Sequence, residues 1–151
     1  MGYQRKGLMG DMAVMKYKWI IDEANKFFGF DVTSRSRVRE IVVARRMVMS
    51  YIRDEFELTW RAIGLQFRGL DHSTVMHNYK QHWDTMRFSH LKDYNAYYRQ
   101  YKELERRLNT IRELRGVNSD KQALSSALTD LKKLLSKYKE QKQSIIEYLS
   151  E

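Results

Sequence analysis

Asp71-His72-Ser73-Thr74 sets a carboxylate, an imidazole and two hydroxyls in consecutive positions. These are the residue types of a nucleophile, a base and its orienting acid, but the spacing is wrong. Neighbours on a helix point about 100° apart, so the three groups cannot align for proton relay. The four histidines, His72, His77, His82 and His90, miss the i, i+4 spacing that places two imidazoles on one helix face for a metal. The chain has no cysteine, which excludes disulfides, thiolate sites and thiol nucleophiles. The expectation is therefore no catalytic residue, no metal and no cofactor. What remains is hydrogen bonding at the start of a helix. There Asp can accept from cytosine, Ser and Thr can pair with either kind of base edge, and the Thr methyl can touch thymine. The free N–H groups of such a turn also favour a phosphate.

A second group of chemistry-bearing residues is basic. Arg35 and Arg37 lie at or just before the first turn of a predicted helix, which carries Arg39, Arg45, Arg46 and Arg53 mostly off its apolar stripe. Helix N-termini ordinarily attract acids, so cations gathered there point to an anion from outside. The net charge is +9, and it is unevenly placed. Residues 1–90 hold 15 Lys/Arg against 10 Asp/Glu, whereas residues 119–151 hold 6 against 5. A basic front with a near-neutral tail fits a polyanion-binding unit followed by an interaction element.

The elements that must position these groups are helical. Proline is absent, glycine is scarce, and 42% of the residues are hydrophobic, so the expected class is all-α. Residues 1–10 carry three glycines and little periodicity, and read as a flexible arm. Asp11 is a plausible cap for a first helix bearing Ala13, Tyr17, Ile20, Ala24 and Phe27 at helical spacing, stopped by Gly29. A second helix, roughly 37–54, carries Val38, Ile41, Val42, Val48, Met49 and Ile52. Thr59 can cap a short helix from Trp60 to Phe67 with Ala62, Ile63 and Phe67 inward. Arg68-Gly69-Leu70 makes a tight turn, and Asp71 caps a further helix whose expected inward face is Val75, Met76, Tyr79 and Trp83. Short helix, glycine turn and capped helix form the helix-turn-helix outline. Trp19, Trp60 and Trp83 read as core or hinge packing rather than base-stacking platforms.

After a break at Met86–Ser89, with Ser89 as cap, Tyr94, Tyr98, Tyr101, Leu108 and Ile111 follow helical spacing. Gly116 is expected to end that helix, and Ser119 with Gln122 to cap the next. Leu124, Leu128, Leu131, Leu135, Tyr138, Lys142, Ile145 and Leu149 then keep heptad spacing. The reading is an antiparallel, coiled-coil-like hairpin over residues 89–151, behind a domain over residues 11–88. Its two stripes can bury each other or pair with a second chain.

The stretch from Phe27 to about Gln81 contains FFGFDVTSRSRVREIVVARRMVMSYIRDEF, AIGLQF and GLDHSTVMH. It resembles the C-terminal DNA-binding domain of DnaA, the bacterial replication initiator. Members of that family show an extended Ser-basic-x-Arg segment, an arginine-bearing helix, Ile-Gly-x-x-Phe and Asp-His-Ser/Thr-Thr-Val. The resemblance implies a helix-turn-helix that binds double-stranded DNA with Asp71, His72, Ser73 and Thr74 in the major groove. It implies that Arg37 enters the minor groove, where narrow A·T tracts attract a guanidinium. Arg35, Arg39, Arg45 and Arg61 would hold the DNA backbone and set register. His77 and Lys80, on the recognition helix, complete the expected contact set.

Two positions depart from that pattern. Leu70 stands where a basic residue is usual before Asp-His, with Arg68 as a partial replacement, and Asn78 stands where a small residue is usual. The target sequence would then differ from the family's site. No Gly-x-x-x-x-Gly-Lys-Ser/Thr loop is present, so no ATP-driven step is expected. The sequence reads as a DNA-reading module put to other use, as in a phage or mobile-element protein. Its expected role is replication or transcription control in the cytoplasm at the nucleoid. The alternative is an adaptor that works through the 90–150 hairpin, on itself as a homodimer or on another protein. No stretch is apolar enough to span a bilayer.

Overall fold

The computed structural model describes residues 2–89, 91 and 95–151, with side chains from residue 14 onward. Among these residues the chain forms five helices and no strand: α1 (Gly2–Phe28), α2 (Arg39–Phe56), α3 (Trp60–Gln66), α4 (His72–Arg87) and α5 (Asn95–Ser150). The all-α expectation is met, and helices α3 and α4 with the turn between them make the expected helix-turn-helix. None of the helices is long and apolar enough to cross a membrane.

The core is built around α2. Its residues Met47 to Ile52 are buried without interruption, so every face of that stretch meets protein. A helix buried all round is one that others pack upon. Ile20 and Ala24 of α1, Val32 of the following loop, Ile63 and Phe67 around α3, and Val75 of α4 share this core. Tyr101, Leu104 and Leu108, from the first turns of α5, belong to it as well. The compact unit therefore runs through Leu108 rather than stopping near residue 88, and residues 109–151 form a second unit. Tyr17, Tyr51 and Trp19 each pack a ring against Phe56, which anchors the end of α2. Glu57 then turns left-handed, at φ 51°, and its N–H bonds the Arg53 carbonyl to stop the helix.

Two expectations about helix boundaries are corrected. Helix α1 starts at Gly2 rather than at Asp11, so residues 2–10 are helical and do not make the non-helical arm expected of them. Propensity is a weak prior, and the interior glycines Gly7 and Gly10 cost the helix only about 1 kcal/mol each. Gly116 lies inside α5, and no turn follows it, so Asn95–Ser150 is one helix and not a hairpin. Nothing lies within 4 Å of the position where a Cβ would stand on Gly116, and no packing partner there selects a turn over continued helix. The helix start expected after Ser89 adjoins His90 and residues 92–94. These, Tyr94 of the tyrosine stripe among them, lie outside the described residues.

Candidate nucleic-acid interface

The interface is assembled from one turn outward. Thr59 caps α3, its Oγ1 accepting from the Ala62 N–H at 3.1 Å. Five residues on, Gly64 meets the chain returning from the turn. A Cβ at position 64 would stand 2.1 Å from the Leu70 carbonyl oxygen, and the Leu70 N–H donates to the Gly64 carbonyl at 3.0 Å. Only glycine admits this approach. Between them Arg68 and Gly69 take left-handed φ values of 59° and 74°, which reverses the chain within three residues.

Asp71 then caps α4. Its Oδ2 accepts from the Ser73 N–H at 3.0 Å and from the Ser73 hydroxyl, and its Oδ1 lies 3.3 Å from His72 Nδ1. The hydrogen bonds from Ser73, side chain first and then backbone, lower the pKa of the Asp71 carboxyl below its usual value. Asp71 is thus a helix cap with one oxygen turned to its neighbour. Asp71, His72, Ser73 and Thr74 are all exposed, as are His77 and Lys80 further along the helix.

The rest of α4 is turned inward, on a different face from the one expected. Val75, Asn78, His82 and Met86 are buried, whereas Met76 and Trp83 are 45% and 40% exposed. The polar members of this face are bonded within the protein. Asn78 Nδ2 donates to the Thr74 carbonyl at 2.9 Å, and His82 Nδ1 lies 2.5 Å from the Tyr97 hydroxyl. Burial, with a smaller contribution from the positive charge of Arg46, pushes His82 down to about 4. The imidazole is therefore neutral, and its Nδ1 shares one hydrogen bond with the protonated Tyr97 hydroxyl. Burial also raises the pKa of Tyr97, keeping that proton in place. Tyr79 is half-buried, donates its hydroxyl to Asp54 at 2.6 Å, and packs an edge against Trp60.

The basic segment is tied to the same turn. Arg35 Nη2 donates to the Arg68 carbonyl at 2.6 Å, so the extended stretch before α2 lies against the turn that leads into α4. Arg68 pairs its own Nη2 with Asp31 at 2.6 Å and reaches Thr33 Oγ1 with Nε. It buttresses the loop of residues 31–34 while remaining largely exposed. Hydrogen bonding from Thr33, the largest cause, holds the Asp31 carboxyl below its usual pKa.

Arg45 also faces this loop. It is half-buried, its Nη2 donates to the Ser36 carbonyl at 2.7 Å, and desolvation lowers its pKa. Arg45 is thus tied to the backbone between Arg35 and Arg37. Arg37, Arg39 and Arg61 are exposed. Arg37 and Arg39 share a hollow with Arg46, Val42, Val43, Thr85 and Tyr97. Arg46, seven residues after Arg39 and on the same helix face, lines this hollow although it was not in the expected contact set. Gly64 was likewise missed as a residue on which the turn depends. Among the described residues no group of three or more His, Asp or Glu side chains comes together to hold a metal.

Comparison with known proteins agrees with this arrangement. The bacterial DnaA protein helix-turn-helix family matches residues 20–81. The chromosomal replication initiator protein DnaA of Latilactobacillus sakei is 29% identical over 80 residues, which is 53% of this chain and 18% of that protein. The DnaA of Herpetosiphon aurantiacus is 34% identical over 70 residues, 44% of this chain and 15% of the relative. That of Streptococcus equi subsp. zooepidemicus is 33% identical over 73 residues, 46% and 16%. The similarity thus spans less than a fifth of each of these relatives. No solved structure matches the chain. Residues 20–81 form a helix-turn-helix domain of the bacterial DnaA type, and the match supports DNA binding by this domain.

Proposed function

We propose that this chain, whose residues 20–81 are a DnaA-type helix-turn-helix domain, recognises a short double-stranded DNA sequence and acts in the control of replication or transcription. The N-terminal turn of α4 enters the major groove, where His72, Ser73 and Thr74 meet base edges. Arg37 enters the adjoining minor groove, and Arg35, Arg39, Arg61 and Lys80 hold phosphates on either side. Asp71 and Arg45 serve mainly to shape this surface. His77 extends the major-groove contact along α4.

The observation that carries the reading is the bond from Arg35 to the Arg68 carbonyl. It ties two segments far apart in sequence, the arginine-rich stretch and the tip of α4, to a single turn. A duplex presents its two grooves side by side, so a reader needs such a pair of probes held together. The departure at Leu70, beside the exposed tip of α4, supports a target that differs from the site read by the full-length initiators.

Selection from a random duplex pool, followed by sequencing, tests the proposal. The expected result is one enriched motif, bound with a strong inverse dependence on salt. Arg37→Ala and His72→Ala should each cost about 1–3 kcal/mol on that motif, and Arg61→Ala should weaken all duplexes alike. A pool that stays random after selection, or variants that bind every duplex as tightly as the parent, would sink the assignment.

A further inference from the structure

We propose that the apolar face of α5 beyond Leu108 is a self-association surface, closed by the same face of a second copy of this chain. With Tyr138 and Lys142 completing the series, Leu124, Leu128, Leu131, Leu135, Ile145 and Leu149 lie on an alternating four- and three-residue repeat. Each is more than half exposed, with Leu149 at 76%. No residue after Leu108 is buried. A helix draws most of its stability from packing an amphipathic face, and a single protein chain rarely leaves so long an apolar stripe in water.

Three observations favour a second copy over another partner. The spacing is the two-stranded heptad, which fits itself: knobs from one helix find matching holes on an identical one. Residues 119–151 carry six basic and five acidic side chains, so two copies of this segment meet almost without net charge, unlike two copies of the basic front. From Val117 to Leu149 the four heptad positions nearest a seam comprise about twenty residues, the low end of what one side of a stable protein interface supplies.

Lys121 and Lys142 fall on the seam itself. In a two-stranded coil a lysine lays its stem over the core and sends its ammonium to the edge, whereas in larger bundles the charge is enclosed. The two lysines therefore select a dimer. Pairing would carry two helix-turn-helix domains on one particle, so that a second DNA site is met at raised effective concentration.

Light scattering on the full chain tests this without DNA. The expected mass is about twice 18.2 kDa at micromolar concentration. Leu128→Asp with Leu131→Asp should return it to a single chain. The tryptophans, at 19, 60 and 83, should report an unchanged helix-turn-helix domain, and binding to a single DNA site should stay within about twofold of the parent. Lys142→Leu should tighten association at least about tenfold, a gain that misfolding cannot mimic. A single-chain mass at every concentration, a dimer that survives the double aspartate variant, a trimer or tetramer, or association indifferent to Lys142→Leu would each overturn the proposal. Because the mass is measured without DNA, its failure would leave the DNA-reading assignment standing.

Discussion

Apolar side chains recur as regularly after Leu108 as before it, yet only the earlier ones are buried. Up to Leu108, other helices pack on α2, and each stripe finds another to cover it. After Leu108 the chain is one helix, and none of its residues is buried. Periodicity specifies which face of a helix wants cover; a turn in the right place decides whether the chain itself supplies it. The glycine at 64 permits such a turn, and the glycine at 116 does not produce one.

The largest effect should come from Gly64. A methyl group there collides with the Leu70 carbonyl at 2.1 Å, and backbone rather than a pliable side chain must give way. Gly64→Ala is expected to destabilise the first unit by about 3–4 kcal/mol, near the upper end for single substitutions. It should weaken DNA binding with it, since the approach of α3 to the α4 tip is lost. Urea unfolding followed by tryptophan fluorescence reads the first unit alone, because all three tryptophans lie before Leu108. A midpoint unchanged by Gly64→Ala would mean that the turn is far more pliable than its geometry indicates.

Two leucines on the same helix give the next contrast. Leu104 is fully buried, and Leu131 is 61% exposed. Leu104→Ala should cost about 3 kcal/mol by the same measurement, whereas Leu131→Ala should move the tryptophan transition by less than about 0.5 kcal/mol. Equal costs would erase the distinction between the two units.

His82 sharpens the comparison through pH. Its pKa falls from the ordinary 6.5 to about 4 because the imidazole is buried, so protonation favours the unfolded chain. The stabilisation is fully present above pH 6.5 and is lost as pH falls towards 4, with no further loss once both states are protonated. At about 1.4 kcal/mol per pH unit across that gap, the first unit should lose roughly 3 kcal/mol from this group. His82→Gln should flatten the pH dependence of the tryptophan transition over that range. Residues 109–151 contain no histidine, so their helicity should not follow the same curve.

What could be read beforehand depended on how local the cause was. Thr59 and Asp71 as caps, the reversal at Arg68-Gly69 and the inward Ile63, Phe67 and Val75 all follow from a few neighbouring residues, and all are present. The α4 face was misjudged because hydropathy ranks Met76 and Trp83 above Asn78 and His82. Hydrogen-bond partners, the Thr74 carbonyl one turn back on the same helix and Tyr97 on α5, make the polar pair suitable for burial. Arg45 looked like a surface cation for the same reason: its partner, the Ser36 carbonyl, belongs to a loop whose path no periodicity encodes. The DnaA-like motif placed the α4 tip and the Arg35–Arg39 segment in one domain, but the bond that ties them to one turn was not legible.

Gly116 offers the smallest and most discriminating effect. In a turn, its replacement by alanine would be costly wherever φ is positive; in the interior of an exposed helix it should be favourable. No atom lies within 4 Å of the added methyl, and the residues on both sides are helical. Gly116→Ala should therefore stabilise that part of α5 by about 0.5–1 kcal/mol, the ordinary difference in helix propensity between the two residues. Amide hydrogen exchange over residues 112–120 should slow about two- to fivefold, with the tryptophan transition of the first unit unmoved. Faster exchange there would bring back a chain reversal at Gly116, and with it a hairpin whose two stripes cover each other and leave no face for a second copy.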